Sequence, residues 1–180
     1  ANSAELLKYS GAPWSQSAQD AFSAMVSNVF LGQCLTEYRA GYNGNWDFAN
    51  EWSRLACHVW LDDKEGFDEV LNRIKEGPTN GSIVNYLSET GQNQETGRDQ
   101  GHAQMGLEFL AYSAEIAWNQ DVDIYEYKDR SIGKAFEYTA KYNLGNDVPF
   151  EVYDSPIGNN SHDSETEPGS YGRGDFDPIY

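Results

Sequence analysis

A dense run of polar side chains, residues 95–104, lies near the middle of the 180-residue chain. The run contains a guanidinium group, carboxylates, amides and an imidazole, and apolar residues with helical spacing follow it at once. Such groups are costly to bury unless they pair with each other or with a ligand. On a helix, Arg98 and His102 would share a face. A cation beside an imidazole and amides suits an anionic ligand that is rich in hydroxyl groups.

The elements that position this run are predicted to be helices, because the alternating pattern typical of strands is nearly absent. The apolar spacing predicts helices after Pro13, over about 47–60, through 67–74, from the polar run to about 119, and over about 131–142. Asn45 or Asp47 is expected near the cap of the second helix, and Asp62 and Asp63 are expected to start the third. Helical hairpins of similar length joined by turns indicate an all-α fold of the α/α toroid or solenoid type.

The residues after Val148 have a different composition, rich in Gly, Pro, Ser, Asn and Asp. This composition predicts a loop or a disordered linker. Because an apolar segment begins again at the last residues, we expect 1–150 to be the N-terminal part of a toroid domain, an incomplete barrel. Residues 151–180 would then be a loop that leads into a missing remainder. That remainder is either a second polypeptide that completes the domain or a segment absent from this sequence.

The composition limits the classes of partner. A net charge of −17 argues against nucleic acid and anionic membranes, because so acidic a surface offers no basic patch to release counterions. An anionic substrate is still allowed, since a small recessed cationic site works in an acidic protein. The longest apolar runs are too short to cross a membrane. Five Trp and twelve Tyr provide flat faces for stacking on sugar rings or bases.

Two cysteines and two glycosylation triplets bear on the compartment. Cys34 and Cys57 form either one disulfide or two buried thiols, and their spacing does not decide between these alternatives. The triplets that begin at Asn80 and Asn159 fit the pattern for N-glycosylation. Together these features favour a secreted glycoprotein.

Several segments, taken in order, carry a resemblance to known enzymes. They are Gly-Asn-Trp-Asp (44–47), Leu-Asp-Asp (61–63) with Phe-Asp (67–68), Gly-Arg-Asp-Gln-Gly-His-Ala-Gln (97–104), Ala-Trp-Asn-Gln (117–120) with Asp-Ile-Tyr (123–125), and the stretch 137–149. Over most of 41–150 the chain resembles the alginate lyase superfamily of helical-toroid polysaccharide lyases, nearest the branch of the glucuronan lyases. The resemblance implies β-elimination in a glucuronan- or alginate-like polymer, with an anionic polysaccharide as the partner.

β-Elimination of a uronate requires that its carboxylate is neutralised, that a base removes the C5 proton and that an acid protonates the O4 leaving group. Asn45 is the first candidate for the neutralising role, because its amide follows a turn and precedes a helix, where anions are favoured. The alternative is that Asn45 only caps the helix. In the alginate lyases proper a His follows this Asn. Here Trp46 follows, which removes one donor and offers a stacking face.

Arg98 and His102 are the other two candidate catalytic residues. Arg98 aligns with a substrate-binding arginine of the alginate lyases, and a guanidinium matches carboxylate geometry. The alternative for Arg98 is an internal ion pair with Asp99, Glu95 or Glu108. His102 is a candidate neutraliser or general base, and its alternative is a buried imidazole bonded to a carbonyl.

The candidate substrate-binding residues are Trp46, Gln100, Gln104, Tyr142 and Asn143. The alternative for the amides is to satisfy helix ends, and for Tyr142 it is to pack in the core. The catalytic Tyr of the alginate lyases aligns near Met105, so the acid and the base are not assigned, and the Tyr is expected in the missing remainder. His58, in an apolar helical stretch, and His162, in the loop after Val148, are not expected to act.

The rival function is a catalytically inactive carbohydrate-binding or defence protein on the same fold. The absence of the Tyr and of the His after Asn45 keeps this alternative open. No cofactor is expected, and no metal site either, because Asp62 and Asp63 fit a helix start and a hard cation needs more converging oxygen atoms.

Overall fold

The computed structural model of the chain describes residues 1–37, 41–155, 157 and 164–178. The helices are α1 (Asn2–Tyr9), α2 (Gln16–Met25), α3 (Gly44–Trp60), α4 (Lys64–Glu76), α5 (Ile83–Tyr86), α6 (Gln100–Trp118) and α7 (Tyr127–Asn143), and a π-helical segment (Val26–Cys34) continues α2. The described residues form no β-strand, so the predicted all-α class is confirmed. The closure of these helices into a toroid stays a prediction.

The core forms where α3 packs against α6 and α4, and α6 packs against α7. Phe48 and Leu55 of α3 are fully buried together with Leu107 and Leu110 of α6. Burial of each such side chain contributes about 1.5–3 kcal/mol relative to exposure. The same packing fixes α3 and α6 side by side, which determines what their outer faces can hold.

The beginning of α3 differs from the expectation. Asn43 occupies the N-cap position and the helix begins at Gly44, a few residues before the expected start at about 47, so Asn45 and Asp47 lie near the cap, in the first turn, but neither is the cap itself. The helix starts early because the backbone N–H of Gly44 donates to Oε1 of Gln94 at 2.6 Å. A Cβ on Gly44 would lie 2.4 Å from the carbonyl oxygen of Asn80, so only glycine allows this approach.

Three further helix starts can be compared with the prediction. Asp63 caps α4 by accepting the N–H of Gly66 at 3.1 Å, which confirms the predicted start. Asp99 caps α6, so Arg98 precedes the helix, and the expectation that Arg98 and His102 share a helical face is wrong. In α7, residues 128–130 have φ values of 50° to 60°, so the regular right-handed helix begins at Ser131, as predicted.

Residues 144–155 and 164–178 contain no helix in the described part of the chain, in agreement with the predicted loop. The segment 164–178, called the tail below, is hydrogen-bonded to α6 and α7. Among the described helices, none combines the length and the apolarity that a bilayer crossing requires.

The cysteines and the glycosylation triplets are only partly described. Cys34 is exposed and Cys57 is buried, and both are free thiols in this structure. Asn80 is fully buried and its amide donates to the carbonyl oxygens of Tyr42 and Ile157 at 2.8 and 3.0 Å. A glycan on Asn80 is therefore incompatible with this fold. Asn159 and His162 lie outside the described residues.

Candidate functional site

A cavity of about 400 Å³ lies between the first turns of α3 and α6. Its lining consists of Asn45, Trp46, Ala49, Arg98, His102, Met105 and Phe109. Ala49 lies three to four residues after Trp46 and Asn45, and the α6 residues recur at the same spacing, so each helix contributes one face. Because both helices begin at the cavity, their N-terminal N–H groups lie close to it. The structure thus brings together the three predicted catalytic residues and Trp46.

Asn45 carries a buried amide whose oxygen atom has no hydrogen-bond partner among the described residues. Its side chain is only 4% exposed, and the buried Oδ1 atom accepts no hydrogen bond from a described residue. A buried polar group in this state costs about 1–3 kcal/mol, so such groups are rare unless a ligand completes them. Asn45 also lies in the first turn of α3, where the helix dipole favours an anion. The alternative that Asn45 serves only as a cap is not what the structure shows, since Asn43 is the cap.

His102 is held by Asp99. Nδ1 of His102 lies 2.7 Å from Oδ2 of Asp99, while Oδ1 of Asp99 accepts the backbone N–H of His102 at 2.8 Å. The carboxylate favours the tautomer with the proton on Nδ1, which leaves a lone pair on Nε2. Nε2 makes no hydrogen bond with a described residue, and the ring lines the cavity. The expected alternative, an imidazole satisfied by a carbonyl group, is therefore not seen, and the ring is positioned to accept a proton.

Arg98 adds a guanidinium to the same cavity. Its Nη1 lies 3.4 Å from Oε2 of Glu95 and its Nε lies 3.5 Å from Oδ2 of Asp99. The internal ion pair considered as an alternative is thus present with these two carboxylates, while Glu108 accepts the hydroxyl of Tyr112 at 2.7 Å instead. Nη2 of Arg98 makes no hydrogen bond with a described residue and the side chain is 39% exposed. A guanidinium has five N–H donors, so Arg98 is able to hold its carboxylates and still face a ligand.

The rest of the cavity is apolar. Trp46 is 56% exposed and lies beside the ring of Tyr42, with 5.9 Å between the ring centroids. Met105 and Phe109 complete the wall. Met105, which the sequence resemblance places near the catalytic Tyr of the alginate lyases, offers no proton. A sugar ring would find an aromatic face at Trp46 and a polar edge at Asn45.

Comparison with known proteins identifies the family. The family model for alginate lyase matches residues 3–150, which include every residue of the cavity. The chain belongs to the alginate lyase family. No curated protein and no solved structure matches it. The match confirms the resemblance at the level of the family, while the glucuronan lyase branch stays a prediction.

In this member of the alginate lyase family, four of the predicted substrate-binding residues are hydrogen-bonded to the tail. They are Gln100, Gln104, Tyr142 and Asn143. Gln104, for example, donates to the carbonyl oxygen of Asp175 and accepts the N–H of Asp177, both at 2.7 Å. Their polar groups are engaged by protein, and none of the four lines the cavity. A sugar-binding role for them stays a prediction.

The structure adds residues to the site that the sequence did not single out. Asp99 orients His102, whereas only an ion pair between Asp99 and Arg98 was expected from the sequence. An aspartate directly before an apolar helix, three residues ahead of a histidine, is an N-cap signal that was available. The polar loop 92–96 is buried and supports the starts of α3 and α6. Its contacts join segments that are distant in the chain, so they leave no periodic pattern in the sequence. Within the described residues, no group of three or more His, Cys, Asp or Glu could hold a metal ion.

Proposed function

We propose that this protein is a polysaccharide lyase that cleaves a uronic-acid polymer by β-elimination. The observation that carries the proposal is the cavity that brings Arg98 and His102 together with the buried amide of Asn45, whose Oδ1 atom has no hydrogen-bond partner among the described residues. Membership of the alginate lyase family supports the reaction class. The arrangement provides two hydrogen-bond donors for a carboxylate, the neutral Asn45 and the cationic Arg98, and it provides one base, His102. The reaction needs no cofactor.

In the proposed reaction, the Nδ2 amide group of Asn45 and the guanidinium of Arg98 donate to the uronate carboxylate, which makes the C5 proton more acidic, while Oδ1 of Asn45 accepts from a sugar hydroxyl. Nε2 of His102 then removes that proton. The C5–H electron pair forms the C4–C5 double bond, the C4–O4 bond breaks, and the leaving oxygen takes a proton from the imidazolium. Asp99 stabilises the imidazolium between the two proton transfers. His102 thereby serves as both base and acid, which offsets the absence of a tyrosine at position 105.

The finer proposal is a glucuronan-like polymer in preference to alginate. It rests on Trp46, which stands where the alginate lyases proper have a histidine and which adds a stacking face to the cavity. Because such polymers are extracellular, we also propose that the protein is secreted. Incubation with glucuronan, alginate and a neutral glucan in parallel would rank the substrates by initial rate.

The test of the lyase function follows the ultraviolet absorbance of the unsaturated uronyl product. Asn45→Ala is expected to lower the rate by about 10²–10³-fold, because it removes one donor from the charge that develops at the carboxylate. The matched control is Asn72→Ala, which removes an exposed amide on α4. Arg98→Gln is paired in the same way with Arg130→Gln, because the side chain of Arg130 is 73% exposed. If the unaltered protein produces no absorbance change on any uronate polymer, the lyase proposal fails.

The second candidate is a carbohydrate-binding protein without catalysis. Two observations favour it: Arg98 is already paired with two carboxylates, and Met105 offers no proton. Calorimetric titration with a uronate oligosaccharide separates the two functions. Binding that Asn45→Ala abolishes, without an absorbance change, would support the binding protein over the enzyme.

A further inference from the structure

The tail crosses the beginning of α6, directly beside Arg98. The N–H of Gly169 donates to the carbonyl oxygen of Thr96 at 2.8 Å, and the carbonyl oxygen of Gly169 accepts the side-chain amide of Gln100 at 2.9 Å. The backbone N–H of Gln100 donates to the carbonyl oxygen of Tyr171 at 2.9 Å. That N–H is one of the helix-terminal donors that have no partner within α6, so the tail completes the start of the helix.

Gly169 lies too close to Arg98 for any side chain. A Cβ at position 169 would lie 2.4 Å from the carbonyl oxygen of Arg98 and 2.6 Å from its carbonyl carbon. Both atoms belong to the backbone, so the clash is relieved only if the tail or the segment at Arg98 moves. The φ angle of Gly169 lies outside the left-handed region, so the requirement for glycine here comes from space and not from backbone strain.

A second anchor lies at the end of α7. The guanidinium of Arg173 stacks 4.0 Å from the ring centre of Tyr142, and its Nε donates to the carbonyl oxygen of Tyr142 at 2.8 Å. The N–H of Gly174 donates to Oδ1 of Asn143 at 3.0 Å, and the amide of Asn143 donates to Oε1 of Gln100 at 2.8 Å. The tail is thus attached to α7 and to α6 through one connected set of hydrogen bonds.

We infer that the tail positions Arg98 and His102 for the reaction, and that Gly169 is the positioning residue through which it acts. Only three residues separate Arg98 from His102. They are Asp99, which caps α6 and holds the imidazole, and the first two residues of the helix. A displacement of the backbone at Arg98 therefore changes the directions of the guanidinium and of the imidazole together. The activity readout of this inference rests on the proposed lyase function.

The experiment compares Gly169→Ala with Gly133→Ala. Gly133 lies in α7, and a Cβ there meets no atom within 4 Å, so it controls for the glycine-to-alanine change itself. Gly169→Ala is expected to lower kcat/KM on the uronate polymer by about 10–100-fold, with the melting temperature close to that of the control, because small displacements of reacting groups carry costs of this size. Gly133→Ala is expected to keep the unaltered rate. An unchanged rate in folded Gly169→Ala would overturn the inference.

A second readout does not depend on lyase activity. The ring signals of His102 and His58 are followed by nuclear magnetic resonance, with assignments from the His→Gln variants. Gly169→Ala is expected to shift the His102 signals and to leave those of His58 in place, whereas unshifted His102 signals would contradict the inference even if no substrate is found. Arg173→Gln releases the other anchor without adding atoms. It replaces Gly169→Ala if that variant does not fold, with the same expected shift and the same contradicting result.

Discussion

Two aspartate–histidine pairs in this chain have nearly the same construction. Asp99 caps α6 and lies 2.7 Å from Nδ1 of His102, and Asp63 caps α4 and lies 2.9 Å from Nδ1 of His58. In each pair, the other carboxylate oxygen accepts a backbone N–H at the start of the helix. The capping role therefore explains why each aspartate is present, and it does not by itself indicate chemistry.

The difference between the pairs lies in what surrounds them. The cavity beside His58, about 240 Å³, is lined by three aspartates, and its Lys64 is 2.6 Å from one of them, Asp68. Such a lining disfavours an anion. The cavity beside His102 holds the guanidinium of Arg98 and the buried amide of Asn45, whose Oδ1 atom has no hydrogen-bond partner among the described residues. The two linings therefore favour the His102 pair for an anionic substrate, although the aspartate–histidine geometry is nearly the same in both pairs.

The largest expected effect tests this difference directly. His102→Gln is expected to lower the rate of product formation by about 10²–10⁴-fold, because it removes the proposed base and acid. His58→Gln is the matched control and is expected to keep the rate nearly unchanged. Initial rates from the ultraviolet absorbance, with melting curves for both variants, provide the measurement. Similar losses in the two variants would mean that the pairs do not differ in the way proposed.

Part of this comparison could be made from the sequence. The polar run 95–104 stands out because dense polar groups directly before an apolar helix need partners, and the right-handed part of α7 follows from its apolar spacing. The assignment of Gln100, Gln104 and Asn143 to substrate did not anticipate the tail. An amide has the same sequence signature whether its partner is a sugar or a distant loop. The partner depends on long-range packing that no local pattern encodes.

The second prediction separates amides that hold the tail from the amide of Asn45. Gln104→Ala removes two hydrogen bonds to the tail and leaves their partners unsatisfied, so the free energy of unfolding is expected to fall by about 2 kcal/mol. The rate per folded molecule is expected to change little, since Gln104 does not line the cavity. Urea unfolding measures the first quantity and initial rates the second. The control is Gln120→Ala, which removes an exposed amide after α6. Full stability with a collapsed rate would return Gln104 to a sugar-binding role.

The third prediction concerns a buried polar group of another kind. Glu51 is fully buried on α3, and neither of its carboxyl oxygens has a hydrogen-bond partner among the described residues. Burial, and then the neighbouring Asp47, raise the pKa of Glu51 well above its usual 4.5, while Arg73 and Arg54 lower it. It does not line the cavity that holds Asn45. A missing hydrogen-bond partner is therefore not sufficient to indicate a ligand site.

Because the folded protein binds this proton more tightly than the unfolded chain, its stability falls as the pH rises above about 4.5. The amide side chain in Glu51→Gln cannot ionise, so this variant does not lose stability in this way as the pH rises. The variant is expected to be more stable than the unaltered protein at pH 7 to 8, and the gap is expected to close towards pH 4. Urea unfolding at several pH values measures it. A gap that widens on acidification would contradict the raised pKa.

The smallest expected effect concerns the His58 pair. The pKa of Asp63 is lowered most by the hydrogen bond that it accepts from the backbone N–H of Gly66, and next by its hydrogen bond with His58. A lowered pKa stabilises the fold at pH values above the pKa of the unfolded chain, and this contribution is lost as the pH falls through the lower folded value.

Asp63→Asn keeps a good capping side chain but removes the charge. Its cost near pH 7 is expected to stay below about 1 kcal/mol, since the side chain is 44% exposed and solvent screens the pair. Unfolding curves for both proteins should therefore converge below pH 3.8, the usual pKa of the group. A difference that persists undiminished in acid would show that the charge of Asp63 is not what stabilises the turn between α3 and α4.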